Sequence, residues 1–271
     1  MWASAAGIGR CGLSSGVRAH LIQMDIVWED RAANLATAER LVREADPAAG
    51  DLVVLPEMFD TGFSLNVERT ADVEGTTLAW VERVARERAI YVQGARTVRT
   101  GGKAQNRATI AGPEGVLCEY AKVHPFSIGR ESERFEGGGE VVTYEWRAED
   151  QGLRVCPAVC YDLRFPELFR LGLDRGAQMF AVGANWPRQR QEHWRALLIA
   201  RAIENQAYVV GVNRCGRDPH VEYAGGSIAI DPRGRVMGEM ADEEGFLSVD
   251  LDPGEVERWR EAFPALRDRR L

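Results

Sequence analysis

Histidine is scarce in this chain of 271 residues: there are four, His20, His124, His193 and His220. None stands at a metal-ligand spacing from a cysteine, so no zinc site is expected. Cysteine is also scarce, and odd in number: Cys11, Cys118, Cys156, Cys160 and Cys215. An odd set in a chain of this size is not a disulfide framework, and it points to a reducing compartment. No apolar run approaches the ~20 residues that cross a membrane. Residues 1–17 carry Arg10 and lack the apolar block of a signal peptide. We expect them to be a disordered N-terminal extension, and the protein to be cytoplasmic. Positive charge is in short supply too, with 34 Lys and Arg against 41 Asp and Glu, a net charge of −7 and a pI near 5.3. A nucleic-acid binder shows the opposite balance. The basic clusters are short and interleaved with acids, as in Arg83-Val84-Ala85-Arg86-Glu87-Arg88, and read as solvated helix faces.

What is present is ordinary globular material, 45% apolar and 28% charged, with enough chain to bury a large core without staples. Apolar runs alternate with stretches of helical spacing. Residues 20–24, 52–55, 90–95, 108–110, 153–159, 178–182, 208–212, 226–230 and 246–249 read as strands. Residues 34–45, 78–89, 166–173 and 194–207 read as helices, with Thr76-Thr77 as the cap of the second. The last two strands are expected to be joined through the Asp231-Pro232-Arg233-Gly234 turn. Alternating strands and helices predict an α/β fold with much parallel sheet. Gly7-Ile8-Gly9-Arg10-Cys11-Gly12 has the letters of a dinucleotide fingerprint, but no convincing strand precedes it.

Three strand ends carry reactive residues, and α/β sheets build sites beyond the carboxyl ends of their strands. Glu57 follows Leu52-Val53-Val54-Leu55-Pro56, at the rim of the core, a setting that suits a general acid or base. Alone, it also reads as a solvated acid opening a loop. Lys122, in Tyr120-Ala121-Lys122-Val123-His124, stands among aromatic and aliphatic neighbours. A buried ammonium needs a carboxylate partner and can stabilise an oxyanion; a plain strand-edge lysine is the alternative. Cys160 ends the run Val155-Cys156-Pro157-Ala158-Val159, where a turn and a helix begin. Backbone N–H groups and a helix N-terminus there favour thiolate; a buried structural cysteine is the alternative. Cys156 reads as core. A Cys–His hydrolase stays open, because triads assemble in space.

Together the three segments resemble the carbon–nitrogen hydrolase (nitrilase) superfamily, in which a strand ending in Pro-Glu, a Tyr-x-Lys-x-His block and Cys-Tyr-Asp-x-Arg-Phe-Pro-Glu carry a Glu–Lys–Cys triad. They occur in the family's order, and the resemblance runs from Arg18 nearly to the C-terminus. Ala184-Asn185-Trp186-Pro187, His193-Trp194, Asn213-Arg214 and Tyr223-x-Gly225-Gly226-Ser227 extend it towards the omega-amidase branch. The resemblance implies a four-layer αββα sandwich as a single domain over residues 18–271. It implies hydrolysis of the terminal amide of a 2-oxo acid amide, such as 2-oxoglutaramate or 2-oxosuccinamate, through a Cys thioester and without a metal or organic cofactor. Glu57, Lys122 and Cys160 are then catalytic, with Glu131 as accessory glutamate; Glu133, two residues on, competes for that place. Tyr161, Asn185 and Trp186 are expected at the substrate, and Arg164, Arg188, Arg190 or Asn185 at its carboxylate. A homodimer paired through its helical face is implied as well. Rival readings are another superfamily substrate (aliphatic amide, N-carbamoyl amine or nitrile) and a non-catalytic binding protein of the same fold.

Overall fold

The computed structural model describes residues 16–99 and 101–270. Cys11, the Gly7–Gly12 motif and most of the expected extension fall outside them. Gly16 and Val17 are described: Val17 is buried and opens the first strand.

The strands are β1 (Val17–Gln23), β2 (Leu52–Val54), β3 (Tyr91–Arg99), β4 (Ala104–Gly112), β5 (Gly115–Ala121), β6 (Tyr144–Ala148), β7 (Gln151–Val159), β8 (Met179–Ala184), β9 (Tyr208–Asn213), β10 (Cys215–Arg217), β11 (Glu222–Ala224), β12 (Ile228–Ile230), β13 (Val236–Glu239) and β14 (Gly245–Leu251). The helices are α1 (Arg31–Ala45), α2 (Val67–Thr70), α3 (Thr76–Arg88), α4 (Glu131–Arg134), α5 (Pro166–Asp174), α6 (Gln191–Asn205) and α7 (Pro253–Ala262). Two six-stranded sheets form, ordered β14-β1-β2-β3-β4-β5 and β13-β12-β9-β8-β7-β6, with β10 and β11 as a separate hairpin.

Three apolar layers hold these pieces together. The middle one lies between the sheets and joins Leu21, Leu52 and Val54 of the first to Val155, Met179 and Val210 of the second. A second layer packs α1 and α3 on the outer face of the first sheet, through Leu41, Val42, Val81 and Val84. The third packs α5 and α6 on the outer face of the second sheet, through Leu168, Phe169, Trp194 and Leu198. The result is the expected four-layer αββα sandwich. Strands buried on both faces carry continuous apolar runs, which is why β2 and β8 read so plainly in the sequence.

Local chemistry differs from expectation in two places. Thr76 and Thr77 do not cap α3. The Asp72 carboxylate does, accepting from the N–H groups of Thr77 (3.1 Å) and Leu78 (3.0 Å), while the Thr77 hydroxyl donates to Asp60 (2.7 Å). A carboxylate aimed at the open N–H groups of a first turn also meets the positive end of the helix dipole. The Asp231–Gly234 turn does not join the last two strands either. It closes a hairpin between β12 and β13, and the chain then crosses to the other sheet, where β14 pairs antiparallel with β1.

Strand direction positions the site. β1, β2 and β3 are parallel, β4 reverses, and β5 reverses again, so β5 points the same way as β2. In the other sheet β7, β8 and β9 are parallel. Beyond the carboxyl ends of β2, β5, β7 and β8 come Glu57, Lys122, Cys160 and Asn185 respectively.

Candidate active site

Lys122 leaves β5 and turns inward, where water cannot reach it; it is 1% exposed. Its Nζ donates to Glu57 Oε1 (2.8 Å) and to Glu131 Oε2 (2.7 Å). Burial works against the ammonium's charge, but the carboxylates of Glu131 and Glu57 outweigh it and hold the pKa above the ordinary lysine value. The Phe63 ring covers the ammonium, its centroid 5.5 Å from Nζ.

Glu57 and Glu131 are both fully buried. Asn106, on β4, donates through Nδ2 to Oε1 of Glu57 (2.7 Å) and to Oε1 of Glu131 (3.1 Å). Glu57 Oε2 accepts from the Asn185 backbone N–H (3.0 Å), and the Asn185 amide donates to the Glu57 carbonyl (2.6 Å). The base of the site is thus clamped on both sheets. Glu131 also accepts from the Phe126 N–H. Burial raises its pKa and the neighbouring Glu57 charge adds to that, with Lys122 opposing. Glu133, by contrast, is exposed and engaged with Arg130 (2.8 Å). Glu131 is therefore the glutamate that meets Lys122.

Cys160, the residue after β7, has a left-handed conformation, φ +46°, which is strained for a residue with a Cβ. A 3₁₀ turn, Cys160–Arg164, follows, and α5 opens only at Pro166. The N–H groups expected to favour thiolate are outweighed here. Burial and the Glu57 charge push the thiol pKa well above its ordinary value, and Lys122 and the Asn185 N–H only partly offset them. The setting favours the thiol form, so attack calls for a base.

A cavity of about 560 Å³ opens over this cluster, with Glu57, Lys122, Cys160 and Asn185 at its polar end and Tyr161 and Trp186 among its walls. Trp186 is tied down by donation from its indole to the Arg190 carbonyl (2.7 Å). Arg164 and Arg190 also line the cavity, stacked on Trp186 (4.7 Å) and Phe126 (5.6 Å). Neither has a carboxylate partner among the described residues. Arg188 does, pairing with Asp242 (3.0 Å), and it lies outside this cavity. The Asn185 amide N–H groups are spent on Glu57, but its Oδ1 is buried without a partner.

Of the histidines, His220 lines the cavity, and each of the four is engaged with other groups. His124 pairs with Asp162, His20 with Asp51 and Ser248, His193 with Arg164, and His220 packs on Trp28. Among the described residues none hydrogen-bonds Cys160, and no group of three or more His, Cys, Asp or Glu side chains is arranged to hold a metal ion.

The model of the carbon–nitrogen hydrolase family matches residues 18–261. The chain belongs to the carbon–nitrogen hydrolase family. As a carbon–nitrogen hydrolase it is a hydrolase acting on C–N bonds, and its relatives include amidases. It is 36% identical to a 2-oxoglutaramate amidase of Bacillus subtilis (strain 168), covering 91% of this chain and 95% of that one. It is 36% identical to the omega-amidase YafV of Yersinia enterocolitica, covering 94% and 97%. The crystal structure of XC1258 from Xanthomonas campestris, a CN-hydrolase superfamily protein with an arsenic adduct in its active site, superposes with a TM-score of 0.88 at 35% identity, covering 95% of this chain and 98% of that one. Saccharomyces cerevisiae Nit3, of branch 10 of the nitrilase superfamily, superposes at 0.83 with 28% identity, covering 96% and 98%.

In this carbon–nitrogen hydrolase the structure brings Glu57, Lys122, Glu131 and Asn185 into one hydrogen-bonded group, with Cys160, Tyr161 and Trp186 on the same cavity. Asn106 escaped the reading of the sequence. Nothing marks an asparagine inside β4 until the fold sets it against two glutamates.

Proposed function

We propose that the protein is an omega-amidase, releasing ammonia from the terminal amide of a small 2-oxo acid amide of the 2-oxoglutaramate or 2-oxosuccinamate type, with Cys160 as nucleophile. The observation that carries this reading is the buried Glu57–Lys122–Glu131 cluster at the floor of a cavity that also holds the Cys160 side chain. The relatives named as omega-amidases and 2-oxoglutaramate amidases support the substrate class.

In this mechanism Glu57 takes the Cys160 thiol proton as sulfur attacks the amide carbon. Lys122 Nζ and the backbone N–H near Tyr161 receive the developing oxyanion; a lost oxyanion donor typically costs about 10²–10³ in rate. Glu57 hands its proton to the leaving nitrogen, ammonia departs, and an acyl thioester stays on Cys160. Glu57 then draws a proton from water, which attacks the thioester, frees the acid and returns the thiol. Glu131 keeps Lys122 charged and in place. The unpartnered Asn185 Oδ1 is suited to accept from the substrate amide N–H, and Trp186 and Tyr161 enclose the carbon chain. Of the arginines considered for the substrate carboxylate, Arg164 and Arg190 remain. Stacked on rings and free of carboxylates, they offer planar donor edges of the kind that grip a carboxylate. We further propose residues 18–271 as the catalytic domain, acting as a homodimer in the cytoplasm.

The test is ammonia release from 2-oxoglutaramate, 2-oxosuccinamate, a simple aliphatic amide, an N-carbamoyl amine and an aliphatic nitrile, with Cys160→Ala in parallel. Turnover confined to the 2-oxo amides and lost in the variant is expected. Turnover of a different panel member would overturn the substrate class, and turnover surviving in Cys160→Ala would overturn the nucleophile.

A further inference from the structure

The Cys160 turn and the Lys122 loop come from different sheets, and little joins them directly. Cys160 follows β7 of the second sheet and Lys122 follows β5 of the first. Between residues 120–126 and the turn, every hydrogen bond among the described residues ends on one side chain, Asp162. Its Oδ2 accepts from the Tyr120 hydroxyl (2.7 Å) and from the Val159 N–H (3.1 Å). Its Oδ1 accepts from the His124 N–H (2.9 Å) and from His124 Nδ1 (2.8 Å). The remaining links are ring contacts, His124 on Phe165 and Phe126 on Tyr161.

These partners are placed tellingly. Tyr120 and His124 each stand two residues from Lys122, one on either side, and Val159 immediately precedes Cys160. The bond to Val159 is half of a capping arrangement that closes the 3₁₀ turn from within. The turn's far end is held separately, by the Arg201 guanidinium on the Leu163 carbonyl (2.8 Å). Cys160 itself sits at φ +46°, a conformation that persists only where its surroundings over-determine it.

We propose that Asp162 is a positioning residue for the reaction: through these four bonds it locks the strained Cys160 turn to the Lys122 loop, so that Sγ and Nζ address the same substrate carbonyl. A buried carboxylate is a poor choice for stability alone, since an apolar side chain of similar size often serves as well. What a carboxylate offers is an acceptor-only group whose two oxygens take several directional bonds at once. The proposal rests on the reading of Cys160 as nucleophile and Lys122 as oxyanion donor.

Asp162→Asn in the full chain tests it. The shape is kept, but an acceptor oxygen becomes a donor facing Tyr120 and the Val159 N–H. Displacing reacting groups by about 1 Å can cost around 10²-fold. The expected result is kcat per folded molecule down by about that factor, with KM within about threefold of wild type and slower Cys160 alkylation by iodoacetamide. Circular dichroism and thermal melting supply the folded fraction. A wild-type kcat per folded molecule, or a loss of activity no larger than the loss of folded protein, would overturn the proposal. Should Asp162→Asn not fold, Tyr120→Phe takes its place, since it removes one donor and leaves the carboxylate. A kcat lower by roughly tenfold at constant KM then supports the proposal, and wild-type kcat overturns it. Alkylation needs no substrate, so a wrong substrate class leaves that readout intact. Turnover by Cys160→Ala, run alongside, separates a failed nucleophile assignment from a failed role for Asp162.

Discussion

At Cys160 two opposing influences meet. Burial and the nearby Glu57 carboxylate disfavour thiolate, while Lys122 and the Asn185 N–H favour it, and the first pair wins. The sequence pointed the other way because a strand running into a helix normally aims N–H groups at the residue between them. Here a 3₁₀ turn, Cys160–Arg164, separates Cys160 from α5, which opens at Pro166 as the sequence indicated. The sign of the pH effect follows. Only the deprotonated thiol attacks iodoacetamide, and a raised pKa keeps that form rare at neutral pH. The alkylation rate of Cys160 is therefore expected to climb through the ordinary thiol value of 9.0 without levelling off. A plateau reached below neutral pH would contradict this. Glu57 was legible in sequence because it follows a plain apolar strand, and Lys122 because it sits in a local Tyr-x-Lys-x-His motif, although the strand before it was not read. The choice of Glu131 over Glu133 was not, since neighbours two apart in sequence differ here only in which way α4 turns them: one inward to Lys122, the other out to Arg130.

At the level of elements, the site depends on how closely β8 approaches the end of β2. Gly183 makes that approach possible. A Cβ placed there would lie 2.7 Å from the Leu55 carbonyl oxygen and 3.3 Å from the Glu57 nitrogen. Both are backbone atoms, which cannot rotate aside. Gly183→Ala is thus expected to push the Glu57 segment away from Asn185, lowering kcat at least about tenfold along with a drop in melting temperature. Steady-state kinetics beside a melting curve checks it, and a variant with wild-type kcat would show that the approach does not set Glu57. The strands that escaped the sequence are those without continuous apolar runs. β13 presents Val236 and Met237 to solvent, and β5 carries the half-exposed Val116 and Leu117. β6 alternates buried Tyr144 and Trp146 with exposed Glu145 and Arg147, in a segment too short to stand out. Asn106 belongs with them. Its importance comes from β4 passing beneath Glu57 and Glu131, a tertiary fact that no local pattern encodes.

The whole molecule places four strand ends from two sheets over one cavity, and that convergence turns separately ambiguous residues into a site. Read singly, Glu57, Lys122 and Cys160 each allow a bland structural role. Their order along the chain carried the family and the αββα architecture, and the fold adds the contacts between them. Among the described residues no helix is long and apolar enough to cross a membrane. The central claim is that Cys160 forms a covalent acyl intermediate, and intact-protein mass spectrometry after acid quench of the enzyme turning over 2-oxoglutaramate tests it most directly. The expected result is an adduct equal to the substrate less ammonia, mapped to the peptide bearing Cys160 and missing in Cys160→Ala. Steady ammonia release with no adduct on that peptide, or with the adduct on another residue, would contradict it.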